Sequence, residues 1–224
     1  PAKRARTTAG GAKPATVVGP CSSLVLTTTG LHLGEDQKRA LKDLGASLAD
    51  GWSPGVTHLV ADTFRRTTKL MCAICAGTAI VTPEYVAACL EKGGRVDEAP
   101  FTLRDQVCEA GFARRRGIKG SYSLEAAVER ARRNGPLLKG LSVYCFPSVA
   151  DKRELPALVR AAGGEWLQDA PAKPAGAGVL LLAERAASSE EEKRRRKEEE
   201  VFDVELLREA ACTQELRRSY YKLR

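Results

Sequence analysis

Two short segments of the chain carry polar residues that together could hold a phosphate group. Thr29 offers a hydroxyl, and Gly30 offers a backbone N–H that no side chain shields. Further along, Arg66-Thr67-Thr68-Lys69 supplies the positive charge of Lys69, and a helix beginning near Thr67 would add free N–H groups and positive dipole potential. Because no nucleophile–base pair stands beside these residues, the pattern predicts that a phosphate is recognised rather than cleaved.

Other chemistries find little support in the sequence. Cys72 and Cys75 have the spacing of a metal-binding pair, but zinc requires about four ligands and a second Cys-x-x-Cys is absent. His32 and His58 are the only histidines. We therefore expect both cysteines to pack inside an apolar helix, with no metal and no cofactor. The sequence also lacks the Gly-rich and nucleophile motifs of common enzymes, which predicts a protein that is not an enzyme.

Composition limits the class of protein and its partners. The chain has 224 residues, 43% of them hydrophobic, which is room for two domains of about 100 residues. The net charge of +8 makes polyanionic partners plausible, with basic residues concentrated at Lys3–Lys13 and Arg114–Lys119. No apolar run is long enough to cross a membrane. Seven cysteines, an odd number, favour a reducing compartment such as the cytosol or nucleus.

The hydrophobic pattern of the first half predicts alternating strands and helices. The order is strand, helix, strand, strand, helix, strand, helix. The predicted strands cover residues 24–26, 46–49, 56–61 and 79–81, and the predicted helices cover residues 35–44, 67–76 and 84–92. The preceding residues 1–20 lack periodicity, so we expect a disordered basic tail.

A similar order returns in the second half, which indicates an internal duplication. Leu24 precedes Gly45 by 21 residues, and Leu141 precedes Gly163 by 22. The second set of predicted strands covers residues 141–146, 166–167, 179–183 and 201–202, with predicted helices at 152–162 and 205–216.

Two segments fall outside this repeated order. Residues 104–135 form a basic linker with one predicted helix, which begins after Ser123 and ends at Asn134-Gly135. Residues 184–200 consist of Glu and Lys/Arg blocks, and we expect a solvated loop or an exposed helix with nothing to bury.

With this element order, the chain resembles a tandem BRCT module. Tyr85-Val86-Ala87-Ala88-Cys89 is similar to the aromatic-x-x-x-Cys/Ser signature of that family's third helix, and Leu206 is a weaker match in the second copy. The chain is most similar to the carboxy-terminal module of the mediator of DNA-damage checkpoint protein and plant proteins of that kind, with the Pax-interacting type as the alternative. The resemblance implies an α/β fold of two BRCT repeats, each a four-stranded mostly parallel sheet flanked by helices, packed in tandem through a linker helix. The expected boundaries are a disordered tail at 1–20, repeats at 21–103 and 136–224, and the linker at 104–135.

The resemblance also implies roles for the residues already singled out. Phosphopeptide-binding members hold the phosphate with a Ser/Thr hydroxyl, the following Gly N–H and a Lys, which here are Thr29, Gly30 and Lys69, with Thr67 as a supporting hydroxyl. Arg66 takes the role of holding the ligand backbone, or its terminal carboxylate, at the third position after the phosphoresidue. The second copy has Cys145-Phe146-Pro147 instead of Thr-Gly, so we expect no second phosphate site, and Glu209 is a candidate neighbour of the groove between the repeats.

These implications lead to one functional hypothesis and two alternatives. The resemblance implies a nuclear phosphopeptide-recognition module of DNA-damage signalling, whose partner would be the phosphorylated tail of a histone H2A variant. The first alternative is weak nucleic-acid binding through the basic tail and the linker residues Arg114-Arg115-Arg116. The second is a protein scaffold that binds independently of phosphate. Neither a cofactor nor a membrane is expected as a partner.

Overall fold

The computed structural model describes residues 15–172, 174–186 and 189–223. Its first repeat is built on a parallel sheet with helices on both faces. The elements of this repeat, in chain order, are β1 (Val17–Gly19), β2 (Val25–Thr29), α1 (Glu35–Asp43), β3 (Ser47–Leu48), β4 (His58–Ala61), α2 (Thr68–Cys75), β5 (Ala79–Val81), α3 (Pro83–Lys92) and β6 (Arg95–Val96). The four parallel strands lie in the order β3-β2-β4-β5. The predicted elements of the first half are therefore confirmed, with shorter ends for several of them.

The amino-terminal prediction needs a correction. Residues 1–14 lie outside the described part of the chain, but residues 15–20 are not disordered. Strand β1 pairs antiparallel with β6, and the Asp97 N–H donates to the Thr16 carbonyl at 3.0 Å. A partner strand distant in sequence supplies this order, so local composition alone could not indicate it.

The linker contains two helices, where the sequence predicted one. Helix α5 (Leu124–Asn134) begins after Ser123, whose hydroxyl accepts from the Ala126 N–H, as predicted. The unpredicted helix α4 (Gln106–Arg115) begins after Asp105, whose carboxylate accepts from the Cys108 N–H at 3.1 Å. It buries Phe112 against the rings of Phe64 and Tyr122.

The second repeat has the same sheet topology as the first. Its elements are β7 (Ser142–Cys145), a 3₁₀ turn (Lys152–Glu154), α6 (Leu155–Ala161), β8 (Glu165–Leu167), β9 (Val179–Ala183), α7 (Glu190–Glu198), β10 (Val201–Asp203), α8 (Glu205–Thr213) and α9 (Arg218–Tyr221). The strand order β8-β7-β9-β10 corresponds strand for strand to β3-β2-β4-β5, and every pairing within it is parallel. The duplication inferred from glycine spacing is therefore present in the fold.

Helix α7 corrects the expectation that residues 184–200 have nothing to bury. Glu192 and Arg195 on this helix are fully buried. Arg195 donates to Glu199 at 2.8 Å and to the Pro171 carbonyl at 3.0 Å, while Glu192 accepts from Arg196 and from Ser148. Oppositely charged partners and carbonyls pair with both side chains, and only Nη1 of Arg195 lacks a partner among the described residues, so the charges tolerate burial.

One hydrophobic core joins the two repeats. Helix α2 of the first repeat packs against α6 and α8 of the second and against the linker helix α5. Leu70 and Ile74 on α2 are fully buried, as are Leu158 on α6 and Leu207 on α8. The start of α2 therefore lies where the repeats meet, so Thr29, Thr67 and Lys69 of the predicted phosphate site face a groove shared by both.

Candidate functional site

Thr29 and Thr67 come together at the carboxyl end of the first sheet. Thr29 is the last residue of β2, and Thr67 caps α2 by accepting a hydrogen bond from the Leu70 N–H at 3.2 Å. Their two hydroxyl oxygens are 2.8 Å apart, so the hydroxyls share a hydrogen bond. The structure thus brings together two predicted residues that are far apart in sequence.

Lys69 is held at the same place by backbone carbonyls. Its Nζ donates to the Thr28 carbonyl at 3.0 Å and to the Asp50 carbonyl at 2.6 Å. A lysine ammonium has three donors, so these two bonds leave one for a ligand. The cation is therefore already fixed beside the residue that precedes Thr29.

Gly30 lies at the end of β2 in a backbone conformation that favours glycine. Its φ is +75°, which disfavours side chains, and a Cβ placed on it would lie 3.1 Å from Arg65 Nη1. The guanidinium of Arg65 therefore lies directly over the backbone of Gly30. It is about half exposed and pairs loosely with Asp62 at 3.6 Å.

Arg65 is a residue that the sequence analysis did not assign to the site. It directly precedes Arg66, and the only available signal was this doubling of basic residues before the Thr-Thr-Lys segment. We call the pocket formed by Thr29, Gly30, Thr67 and Lys69 the polar pocket. Arg65 adds a second cation beside it.

Arg66 points into the groove between the repeats and not into the polar pocket. Its Nη1 and Nη2 both lie 3.1 Å from Glu205 Oε2 on α8, and its guanidinium lies 5.6 Å from the centre of the Phe112 ring. Arg116 and Arg208 contact the same carboxylate at 2.5 and 3.4 Å. Burial would raise the pKa of Glu205, but the charges of Arg66 and Arg116 outweigh it and lower the pKa below its usual value.

Two expectations change with this arrangement. Glu209, the predicted neighbour of the groove, is buried and accepts hydrogen bonds from Arg217 and Tyr221. Glu205, one helical turn earlier, occupies the groove instead.

Arg116 contacts Glu205, so it is not a free member of a linker patch for nucleic acid, whereas Arg114 and Arg115 are exposed.

The polar pocket stands between two cavities. A cavity of about 570 Å³ lies between the repeats and is lined by Thr29, Arg66, Thr67, Thr68, Lys69, Met71, Asp151, Glu154, Leu155, Leu158, Glu205 and Arg208. A second cavity of about 740 Å³ lies on the first repeat and includes Gly30, His32 and Lys42. Thr29 and Lys69 line both. An extended chain bound at these two residues could therefore continue into either cavity.

The second repeat contributes an acidic wall to the groove. Glu154 accepts a hydrogen bond from the Thr68 hydroxyl at the start of α2. Asp151 lies beside it in the groove lining, with a φ of +55° that is uncommon for a residue other than glycine. Both carboxylates are exposed.

The end of β7 lacks the groups that form the polar pocket in the first repeat. Phe146 is buried there, and the Ser148 hydroxyl donates to Glu192 at 2.6 Å. The Ala150 N–H donates to Glu184 at 3.0 Å. Carboxylates of the chain itself thus take these two donors at this position.

The buried cysteines show the features of packing residues. Cys72 and Cys75 lie inside α2, and burial raises the pKa of the Cys72 thiol to about 12 and that of Cys75 further. Within residues 15–172, 174–186 and 189–223, no group of three or more His, Cys, Asp or Glu side chains could hold a metal ion. Tyr85 and Cys89 of the aromatic-x-x-x-Cys segment are fully buried, with Tyr85 stacked on His58.

Comparison with protein families and curated proteins identifies relatives of this chain. The model of the BRCT domain of Regulator of Ty1 transposition protein 107 matches residues 10–103. BRCT-containing protein 1 of Schizosaccharomyces pombe is 33% identical over 130 residues, which cover 56% of this chain and 14% of that protein. PAX-interacting protein 1 of Bos taurus is 34% identical over 130 residues, which cover 58% of this chain and 12% of that protein. Mediator of DNA damage checkpoint protein 1 of Homo sapiens is 30% identical over 135 residues, which cover 60% of this chain and 6% of that protein. The chain thus matches only a small part of these longer relatives.

Solved structures share the fold of most of the chain, including both repeats. The BRCT5-BRCT6 domains of S. pombe Brc1 superpose with a TM-score of 0.63 at 24% identity, covering 88% of this chain and 95% of theirs. Rtt107p in complex with phosphorylated histone H2A superposes with a TM-score of 0.56 at 12% identity, and the match covers 88% of this chain and 89% of the Rtt107p chain. In the part of this chain that the structure describes, no helix is long and apolar enough to span a membrane. The BRCT domain model thus matches the first repeat, and the chain as a whole has the fold of a tandem BRCT module.

Proposed function

We propose that this module binds a phosphorylated peptide, with the phosphate in the polar pocket. The observation that carries the proposal is the position of Lys69, whose ammonium is fixed by the Thr28 and Asp50 carbonyls and keeps one donor for a ligand. The Thr29 hydroxyl and the backbone N–H of Gly30 complete a set of donors suited to a phosphate oxygen. Thr67 supports this set by bonding to Thr29.

The charge of a phosphate makes these donors selective for the modified residue. A phosphoserine carries about −1.5 to −2 charges near pH 7, and each charge-assisted hydrogen bond contributes roughly 1.5–3 kcal/mol. Two such bonds would discriminate a phosphorylated from an unmodified serine by about two decades or more in affinity. The residues bind and orient an anion without offering a nucleophile, which supports recognition and not catalysis.

Arg66 is suited to a second contact with the ligand. Three residues of extended peptide span roughly 10 Å, so a peptide that leaves the polar pocket through the groove would reach the second repeat. Arg66 lines this groove, and its side chain is 21% exposed there. We propose that it holds the peptide backbone or the terminal carboxylate at the third position after the phosphoresidue, beside the Glu205 carboxylate.

The named relatives suggest the class of ligand. The structure of Rtt107p is a complex with phosphorylated histone H2A, and the name of Mediator of DNA damage checkpoint protein 1 refers to the DNA-damage checkpoint. By analogy, we propose a nuclear role in DNA-damage signalling, with the phosphorylated carboxy-terminal tail of a histone H2A variant as the ligand. The analogy rests on the shared fold and on the residues at the polar pocket.

A titration with four peptides tests this proposal. The peptides have the same histone-tail sequence ending three residues after serine, phosphorylated or not, each with a free or an amidated carboxyl terminus. Fluorescence anisotropy should show tight binding only for the phosphorylated peptide with a free carboxylate. Loss of affinity on amidation would support a contact with the terminal carboxylate, as proposed for Arg66, and equal affinities for phosphorylated and unmodified peptides would overturn the proposal.

A further inference from the structure

Three arginines surround a single carboxylate at the inner end of the groove. Arg66 comes from the start of the second helix, Arg116 from the end of the linker helix α4, and Arg208 from α8. All three contact Glu205, and each of the four side chains is only 21–27% exposed. This arginine cluster, as we call these four residues, therefore carries two more positive than negative charges in a partly desolvated position.

Arg208 is the least firmly held member of the arginine cluster. Arg66 and Arg116 share Glu205 Oε2 at 3.1 and 2.5 Å, whereas Arg208 Nη1 lies 3.4 Å from Oε1. An N–H···O hydrogen bond is usually 2.7–3.2 Å long, so this contact is weak. A guanidinium has five N–H donors in a planar fork. Arg208 thus has most of its donors available, and it lines the groove.

Two carboxylates also line the groove. Asp151 and Glu154 lie on its acidic wall, and the Glu154 bond to Thr68 places that wall beside Lys69 and the polar pocket. An acidic group of a ligand would be repelled there and attracted towards Arg208. The groove therefore distinguishes two environments along the path from the polar pocket to the arginine cluster.

We propose that Arg208 selects an acidic side chain of the ligand, at one of the two positions between the phosphoresidue and the third residue after it. The inference rests on the proposed function, because the phosphate in the polar pocket sets the register of the peptide. Arg66 is then left for the backbone or the terminal carboxylate. The ligand class is an extended phosphopeptide with a glutamate or aspartate directly before its carboxy-terminal residue or directly after its phosphoserine.

Three phosphopeptides with a free carboxyl terminus test this inference. They differ only between the phosphoserine and the final residue, which are separated by Gln-Gln, Glu-Gln or Gln-Glu. Each is titrated by fluorescence anisotropy into the wild-type protein, into Arg208→Gln and into Arg133→Gln. Arg133 is exposed on α5 and does not line the groove, so its substitution removes the same charge elsewhere.

The expected result is that one glutamate peptide binds the wild-type protein about fivefold more tightly than the Gln-Gln peptide, the scale of one partly exposed charge pair. This preference, taken as the ratio of the affinities for the glutamate and Gln-Gln peptides within each protein, should vanish in Arg208→Gln and persist in Arg133→Gln. No preference in the wild-type protein, or a preference that survives Arg208→Gln, would overturn the inference and leave phosphate recognition standing. Failure of every phosphopeptide to bind would instead overturn the proposed function together with this inference.

Discussion

Arg66 of the first repeat and Glu205 of the second form an ion pair across the module, with both Nη atoms 3.1 Å from one carboxylate oxygen. Arg66 directly precedes Thr67, the residue that caps α2 and bonds to Thr29 in the polar pocket. Arg66 therefore makes the inter-repeat contact, and the next residue, Thr67, belongs to the proposed phosphate site. The affinity of a ligand that contacts both would depend on how the repeats are packed.

Loss of the Glu205 charge should weaken this packing. In Glu205→Gln, Arg66, Arg116 and Arg208 would face one another without a counter-charge, so we expect the free energy of unfolding to fall by about 1–3 kcal/mol. Urea denaturation followed by circular dichroism measures the change. Glu129→Gln on α5 is the matched control, because Glu129 pairs with a single, half-exposed Arg132. Equal losses in the two variants would contradict the central role of Glu205.

Substitution of Gly30 should affect stability and binding together. Gly30→Ala would place a Cβ in a left-handed backbone conformation, 3.1 Å from the Arg65 guanidinium. We expect a loss of about 1 kcal/mol in the free energy of unfolding and weaker phosphopeptide binding. Gly51→Ala is the control, because a Cβ there meets no atom within 4 Å and the φ of Gly51 is not left-handed. Retained phosphopeptide affinity in Gly30→Ala would contradict the prediction that binding depends on the left-handed backbone conformation at Gly30.

Arg65 should contribute to affinity through charge more than through fixed geometry. Its guanidinium is about half exposed above Gly30, so we expect Arg65→Gln to weaken phosphopeptide binding by a few-fold, with a smaller effect at high salt. Anisotropy titrations at two salt concentrations measure this. Arg39→Gln, on the exposed face of α1, removes the same charge at another exposed position. An identical change in both variants would show that only net charge matters.

Asp105 should give the stability of the linker a distinct pH dependence. Burial would raise its pKa, but hydrogen bonds from Thr63 and from the Cys108 and Phe64 N–H groups lower it to about 2. Its stabilising contribution is therefore complete above the usual carboxyl pKa near 4 and is lost as the pH falls towards 2.

The variant Asp105→Ala tests this dependence. It removes the cap of α4, so at pH 7 we expect a loss of about 1–2 kcal/mol in the free energy of unfolding. The difference from the wild-type protein should shrink as the pH is lowered from 4 to 2. Urea denaturation at several pH values checks the trend, and a difference that grows on acidification would contradict it.

The sequence predicted the parts of the site that depend on local signals. Such signals are the position of Thr67 before an apolar helix and that of Thr29-Gly30 at the end of a buried strand. The parallel pairing of β2 with β4 then brings the end of β2 close to the start of α2. The register of these strands follows from their hydrophobic runs. The proximity of Thr29 and Thr67 could thus be predicted without coordinates.

Contacts between distant elements could not be predicted in the same way. Glu205 and Arg116 lie on helices whose mutual orientation is set by the packing of α2, α5 and α8, so no sequence spacing indicates that they meet. Helix α4 was missed because Gly111 and the run of arginines obscured its cap at Asp105. The burial of Arg195 likewise depends on carbonyls of a separate segment, Pro171 and Ala172.

The most direct test of phosphate binding at Lys69 compares one substitution against two ligands. The affinities of a phosphorylated peptide and its unmodified counterpart are measured for the wild-type protein and for Lys69→Met, with Lys92→Met on α3 as the control. We predict that the preference for the phosphorylated peptide falls by about tenfold or more in Lys69→Met alone, while circular dichroism shows an unchanged fold. A preference that is the same in all three proteins would contradict the account.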